Sequence, residues 1–132
     1  PVVAGVDTGQ YRFVAAGPTT STREEPYQGD VMRHFNLKAV IGKGGMGPKT
    51  LAACGEVPGV YVHAIGGAAA LIAQAVASVK TVHKLDFGVP EAMWVIEVKD
   101  FPAVVTMDAH GNSLHADIET RSKAVLDQLV SA

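Results

Sequence analysis

Two short stretches of the chain carry residue types that bind anions. The first is GPTTSTR, residues 17–23, in which four consecutive hydroxyl side chains precede an arginine: Thr19, Thr20, Ser21, Thr22 and then Arg23. Arginine binds a carboxylate through two parallel hydrogen bonds, and neighbouring hydroxyls fill the remaining lone pairs. This composition suits a carboxylate receptor. Taken alone, however, it is better explained as a capping loop before a helix, with Arg23 on the surface.

The second stretch is IGKGGMGPKT, residues 41–50, which follows an apolar run at 37–41. Gly42 and Gly47, with Lys49 just beyond, nearly match the phosphate-binding P-loop. In that motif the lysine directly follows the second glycine, whereas here Pro48 displaces it. Proline also removes one of the backbone N–H donors that cradle a phosphate. The P-loop interpretation is therefore rejected.

The same glycines, Gly42-x-Gly44-x-x-Gly47, also match the spacing of a dinucleotide-binding turn. That fold needs a longer crossover helix and an acidic residue after the second strand to hold the ribose. The next apolar run begins near residue 60, and residues 57–85 contain no Asp or Glu. The sequence thus disfavours NAD binding.

A simpler function remains for this glycine loop, defined here as residues 42–47. Glycines let the backbone approach a ligand closely, and the N–H groups at the start of the following helix favour an anion. Lys43 adds a mobile positive charge inside the loop. A tight turn whose lysine extends into solvent explains the loop alone equally well.

The elements that must position these loops are read from apolar periodicity and turn residues. We predict strands at 2–6, 11–16, 38–41, 60–65, 82–85, 92–98 and 103–107, a hairpin turn at Gly111-Asn112, and helices at 30–35, 49–54, 68–79 and 120–130. In the last helix we expect Val125, Leu126, Leu129 and Val130 to face inward. The mixture predicts the α/β class, with a mixed sheet and flanking helices.

Composition limits the possible functions. With 132 residues, the chain is expected to be a single domain, 1–132, that buries roughly two-thirds of its unfolded surface. A net charge of −2 gives no electrostatic case for nucleic acid, and no apolar run reaches the roughly 18 residues of a membrane span. A chain with a single cysteine, Cys54, is typical of proteins in the reducing cytoplasm. We expect Cys54 to be a small, buried hydrophobic residue. The five histidines are scattered, so we predict no metal ligands.

Together, GPTTSTR, KAVIGKGGMG, a GGAAAL helix entry and VPEAMWVIEVKDFPAVVTMDAHGNSLH resemble the β subunit of class I fumarases and L(+)-tartrate dehydratases. These are iron–sulfur hydro-lyases, and in single-chain members the same region is the C-terminal domain. The resemblance runs from about Pro1 to His115. It implies a swivelling β/β/α domain. GPTT-x-x-R with GKGGMG is a specific combination, unlike either glycine pattern alone.

The resemblance also implies roles for individual residues. Thr19 matches the family's proposed catalytic base, and Arg23 and Lys43 match side chains that grip the substrate carboxylates. Thr20 and the backbone at Gly42 and Gly44 are expected to support substrate binding. The chain departs from the family in having Glu24-Glu25, where Met-Asp or Met-Glu usually follows the arginine. It also lacks an upstream Arg-Asp-x-Ala-His segment, so we expect the N-terminal part of the domain to be missing.

The cofactor and partner follow from the same resemblance. The family's [4Fe–4S] cluster, a Lewis acid for the departing hydroxyl, is held by three cysteines of an α subunit, so we expect this chain to require that partner in a hetero-oligomer or dimer. The expected reaction is the reversible addition or removal of water at a small dicarboxylate. The two candidates are the interconversion of fumarate and malate and the dehydration of tartrate to oxaloacetate. The alternative is a non-catalytic anion-binding or assembly module. The expected location is cytoplasmic, with no nucleic-acid or membrane partner.

Overall fold

The computed structural model of the protein describes residues 1–17 and 19–131. Its strands and helices, in chain order, are β1 (Val2–Ala4), β2 (Arg12–Ala15), α1 (Glu25–Phe35), β3 (Ala39–Lys43), α2 (Pro48–Glu56), β4 (Val60–Ala64), α3 (Ala69–Gln74), β5 (Val76–His83), β6 (Met93–Val98), β7 (Ala103–Met107) and α4 (Leu114–Val130). The predicted α/β class is confirmed, because helices accompany strands that pair in both parallel and antiparallel fashion.

The residues group into two compact units. The first contains Pro1–Thr20 and Ile65–Pro102, and the second contains Ser21–Ala64 and Ala103–Ala132. The chain therefore leaves the second unit after β4 and returns to it at β7. The single-domain assignment of residues 1–132 stays a prediction.

The first unit contains two antiparallel strand pairs and a cluster of three aromatic rings. β1 pairs with β2, and β5 pairs with β6. Tyr11 and Phe13 pack edge-on against the Trp94 ring, with ring centroids 5.1 and 5.7 Å apart. The indole N–H of Trp94 donates to the carbonyl of Val89 at 3.1 Å, so the polar group of this partly buried side chain has a hydrogen-bond partner.

The predicted helix at 68–79 is wrong in its second half. Helix α3 ends at Gln74, and the chain continues as strand β5, in which Val76 opposes Val98 and His83 opposes Met93. Small and β-branched apolar residues fit either structure locally. The antiparallel partner β6 selects the strand, because it supplies a ladder of backbone hydrogen bonds that is interrupted by only two register shifts.

The second unit contains a three-stranded sheet in the order β3-β4-β7. β3 and β4 are parallel and joined through α2, whereas β7 is antiparallel to β4. Helix α1 packs against α2, and α2 packs against β4. The buried residues of the resulting core are Met32, Met46, Ala53, Cys54, Val57, Tyr61 and Met107. The core fixes the end of β3, from which the glycine loop emerges.

The end of the chain differs from the prediction in two ways. No return strand follows Gly111-Asn112. Instead, the Asp108 carboxylate accepts the N–H groups of His110 and Asn112, and the turn closes through one isolated bridge between Met107 and Ser113. Helix α4 then begins at Leu114 and not near residue 120, because the Ser113 hydroxyl accepts the backbone N–H of Ala116 and caps it.

The apolar side chains of α4 are exposed, contrary to the prediction that they face inward. The exposed fraction is 56% at Val125 and Leu126, 73% at Leu129 and 77% at Val130. Among the described residues, none of the helices combines the length with the hydropathy that crossing a bilayer requires.

Candidate active site

The end of the hydroxyl-rich stretch is hydrogen-bonded to the glycine loop within the second unit. The Ser21 hydroxyl accepts the backbone N–H of Lys43 at 2.8 Å. The Thr22 hydroxyl donates to the carbonyl of Gly45, also at 2.8 Å. Both hydroxyls belong to a 3-10 turn, Ser21–Glu24, that also contains Arg23. The two cationic residues, Arg23 and Lys43, therefore lie on segments that bond directly to each other.

The glycines of the loop make room for the protein's own side chains. A Cβ at Gly42 would lie 2.3 Å from both the Ser21 hydroxyl and the Tyr61 hydroxyl. Gly44 has a φ of 80°, in the left-handed region that glycine adopts without strain. The fully buried Tyr61 donates its hydroxyl to the carbonyl of Gly44 at 2.8 Å, which holds the loop from the core side.

The start of helix α2 is occupied by the carboxylate of Glu25. One oxygen accepts the N–H of Lys49 at 2.8 Å and that of Thr50 at 3.2 Å. The other accepts the N–H of Gly47 at 2.8 Å and the hydroxyl of the buried Thr50 at 2.6 Å. Since Pro48 has no N–H, this one carboxylate satisfies every backbone donor that the first turn leaves without a helical partner.

These contacts stabilise the ionised form of Glu25. Burial raises the pKa of this carboxyl, but the hydrogen bonds from the Thr50 hydroxyl and from the N–H groups of Gly47, Thr50 and Lys49 outweigh it, and the pKa lies below its ordinary value. The sequence predicts an anion at the start of α2, and in the structure the protein's own Glu25 carboxylate occupies that position. The same occupancy is a physical reason against a nucleotide phosphate there.

A histidine pair beside the loop was missed in the sequence, where the histidines were treated as scattered. The rings of His63 and His115 stack with centroids 5.2 Å apart, and the His115 Nε2 is 2.9 Å from the hydroxyl of Thr106. A Cβ at Gly45 would lie 3.1 Å from the His115 ring. Burial, and then the neighbouring His63, lower the pKa of His115. Only the fold reveals this pair, because the two histidines are far apart in the chain.

The predicted site residues fall in both units. Arg23, Gly42, Lys43 and Gly44 lie in the second unit, and Thr19 and Thr20, both exposed, lie in the first. The structure brings the segments of Arg23 and Lys43 together, as described above. The roles assigned to all six residues stay predictions.

The donor set of this chain does not fit an iron–sulfur cluster. Such a cluster is held by several cysteine thiolates, and the one cysteine here, Cys54, is fully buried in the core. Burial, and then the nearby Asp108, raise the pKa of its thiol, which disfavours the thiolate that metals bind. Across residues 1–17 and 19–131, no group of three or more His, Cys, Asp or Glu side chains could hold a metal ion.

The sequence also matches a known protein family. Residues 3–118 match the family described as Fumarase C-terminus. This match covers well over half of the chain, and the protein therefore belongs to the fumarase C-terminal family.

Individual relatives support this assignment. The chain is 59% identical over 128 residues to a putative fumarate hydratase class I of Geobacillus stearothermophilus, covering 97% of this chain and 25% of that protein. It is 39% identical over 109 residues to the L(+)-tartrate dehydratase subunit beta of Escherichia coli strain K12, covering 82% of this chain and 54% of the relative. A putative L(+)-tartrate dehydratase subunit beta of Methanocaldococcus jannaschii is 40% identical over 119 residues, covering 89% and 61%. The chain thus spans between a quarter and about three-fifths of the length of these curated relatives.

Proposed function

We propose that this chain is the dicarboxylate-binding part of a hydro-lyase, acting as or within the β subunit of a class I fumarase or an L(+)-tartrate dehydratase. The observation that carries the proposal is the pair of hydrogen bonds from Ser21 and Thr22 to the glycine loop. They join the hydroxyl-rich stretch to the glycine loop, the two segments whose combination carries the resemblance to the family. The relatives' names supply the reaction class.

Arg23 and Lys43 are the residues that we assign to the substrate carboxylates. Removing a proton from the carbon next to a carboxylate builds negative charge on that carboxylate. Preorganised cations stabilise this charge as it forms, and losing one such donor typically costs a factor of about 10²–10³ in kcat. We assign the backbone of Gly42 and Gly44, together with Thr20, to supporting contacts.

Thr19 is the residue that we assign to proton removal. Threonine is a weak base at its ordinary pKa, so the role requires nearby cations or a second base that favour the ionised form. Thr19 precedes Ser21 by two residues, and two residues of chain span at most about 7 Å. Covalent geometry therefore limits how far Thr19 can be from the residue that binds the Lys43 N–H, which is compatible with the assignment.

The proposal includes a partner. Because the donors of this chain do not fit an iron–sulfur cluster, we assign the family's [4Fe–4S] cluster to a separate α subunit or to another part of the same protein. We place the enzyme in the cytoplasm, in line with the cysteine content. Fumarate and tartrate remain the two substrate candidates, since the relatives carry both names.

The test is to produce the full protein together with its α subunit and to measure malate dehydration, fumarate hydration and tartrate dehydration. Thr19→Ala is compared with Thr120→Ala, which lies on α4 and donates only to the carbonyl of Ala116. Lys43→Met is compared with Lys123→Met, whose exposed lysine also lies on α4. We expect Thr19→Ala to abolish turnover and Lys43→Met to lower it by about 10²–10³, while both α4 variants keep the wild-type rate.

The outcomes separate the candidate functions. Full turnover in Thr19→Ala removes Thr19 from the mechanism. Calorimetric titration with malate, fumarate and tartrate tests binding independently of turnover. If none of the three binds to the wild-type complex, the hydro-lyase proposal fails, and the alternative of a non-catalytic anion-binding or assembly module replaces it.

A further inference from the structure

We propose that Glu25 is a positioning residue that holds the Lys43 loop in its substrate-binding geometry; this rests on the function proposed above. Glu25 does not belong to the set of residues that the sequence assigned to substrate. It is the second residue after Arg23, where the family pattern Met-Asp or Met-Glu has its acidic residue, so only Glu24 departs from that pattern. The structure gives the two neighbours very different surroundings.

Glu25 is the downstream anchor of a three-point clamp. The Ser21 hydroxyl holds the N–H of Lys43, the Thr22 hydroxyl holds the carbonyl of Gly45, and the Glu25 carboxylate holds the N–H of Gly47. All three anchors come from residues 21–25, the same segment that contains Arg23. The clamp therefore fixes the loop that contains Lys43 relative to the segment that contains Arg23.

The carboxylate is the only charged anchor of the three, and its bonds to N–H donors are of the stronger, charge-assisted kind. It also couples the loop to α2, because the same two oxygens accept the backbone N–H groups of Lys49 and Thr50 and the hydroxyl of Thr50. The packing is close: a Cβ at Gly47 would lie 2.7 Å from one Glu25 oxygen. Glu24, by contrast, is exposed and makes no capping hydrogen bond at the start of α1.

Glu25→Gln removes one acceptor without changing the shape of the side chain. A glutamine can keep its oxygen on the N–H groups of Lys49 and Thr50. Its NH2 group then faces Gly47 and Thr50, and the Thr50 hydroxyl can turn to accept from it. The N–H of Gly47 cannot accept, so this donor loses its partner. The substitution therefore releases the Gly47 end of the loop selectively.

The experiment uses the full protein with its α subunit in three forms: wild type, Glu25→Gln and the matched control Glu24→Gln. Hydrogen–deuterium exchange followed by mass spectrometry reports on peptides covering residues 42–47, with a peptide from β7 as the internal reference. We expect Glu25→Gln to raise exchange in the loop by about tenfold or more while β7 is unchanged. Glu24→Gln should match the wild type in both peptides.

Steady-state kinetics with the dicarboxylate supply the second measurement. Because Lys43 is assigned to the charge that forms on the substrate carboxylate, its misplacement should lower kcat/KM by about tenfold, with most of the change in kcat. A role limited to stability would lower the unfolding midpoint and leave kcat/KM of the folded enzyme unchanged. Glu25→Asp, which keeps the charge on a shorter side chain, should give an intermediate kcat/KM.

Two results overturn the proposal: loop exchange in Glu25→Gln equal to that of the wild type, or an unchanged kcat/KM despite faster loop exchange. If the wild-type complex shows no dicarboxylate activity, the proposed function fails and, with it, the assignment of Glu25 to substrate positioning. In that case the exchange measurement still decides whether Glu25 holds the loop. The two failures are thus distinguishable.

Discussion

Gly42→Ala is a substitution for which the structure predicts a large local effect. The added Cβ would lie 2.3 Å from the Ser21 hydroxyl oxygen, 2.3 Å from the Tyr61 hydroxyl oxygen and 2.9 Å from the Ser21 Cβ. A real Cβ does not approach another heavy atom this closely. The Ser21 hydroxyl can rotate away, but its Cβ cannot, and the Tyr61 ring is fully buried in the core. The 3-10 turn or the tyrosine must therefore move.

The cost follows from two contributions. Forcing an extra methyl group into packed surroundings typically costs about 1–3 kcal/mol. Movement of Ser21 and Tyr61 also endangers their hydrogen bonds to Lys43 and Gly44, each of which contributes roughly 1 kcal/mol. We expect Gly42→Ala to lower the free energy of unfolding by about 3–5 kcal/mol, the sum of these contributions.

Urea unfolding, followed by circular dichroism, measures this difference. The matched control is Gly55→Ala in α2, where the nearest atom to an added Cβ is the carbonyl oxygen of Ala109 at 3.7 Å. This change should be neutral or stabilise the helix by up to about 1 kcal/mol, because alanine has the higher helix propensity. If Gly42→Ala costs less than about 1 kcal/mol, the packing of Ser21 and Tyr61 against β3 is not as described.

Three further predictions concern the second unit. Met32→Ala, which empties a site with no solvent exposure, should lower the free energy of unfolding by about 2–5 kcal/mol in the same urea assay; a cost below about 1 kcal/mol would mean that this core site is loosely packed. Cys54, whose pKa burial raises, should resist a thiol reagent in the native protein and react in urea, and rapid native labelling would contradict its burial. Burial, and then the neighbouring His63, lower the pKa of His115. As pH falls through about 6.5, the ordinary pKa of histidine, His115 therefore becomes protonated in the unfolded chain while it is still neutral in the folded chain. Stability should therefore decline as pH falls from 7 through 6.5 towards 5, and His115→Asn should flatten that decline; an equal decline in the variant would exclude His115 as its source.

Much of the second unit could be predicted from the sequence. The strand at 38–41, the helix at 49–54 and the strand at 60–65 correspond to β3, α2 and β4, with ends shifted by one or two residues. Local signals suffice here, because an apolar run, a glycine loop and a proline at the first helical position occur in succession. The burial of Cys54 was also predicted correctly.

The errors occurred where distant segments decide the structure. The sequence predicts helix at 76–79, the first half of β5, because the pairing of β5 with β6, which lies ten residues beyond its end, is not visible locally. The inward face of α4 was assigned from periodicity alone, and periodicity cannot show whether a partner surface exists. The role of Glu25 at the start of α2 was missed for the same reason, since its bonds reach 22 to 25 residues along the chain.

The central claim is that Arg23 and Lys43, held on adjoining segments, bind one dicarboxylate. A crystal structure of the full protein with its α subunit, grown with malate or tartrate, tests it most directly. We predict a ligand carboxylate within hydrogen-bond distance, about 2.7–3.2 Å, of both the Lys43 Nζ and the Arg23 guanidinium. A well-ordered dicarboxylate that contacts neither side chain would contradict the account.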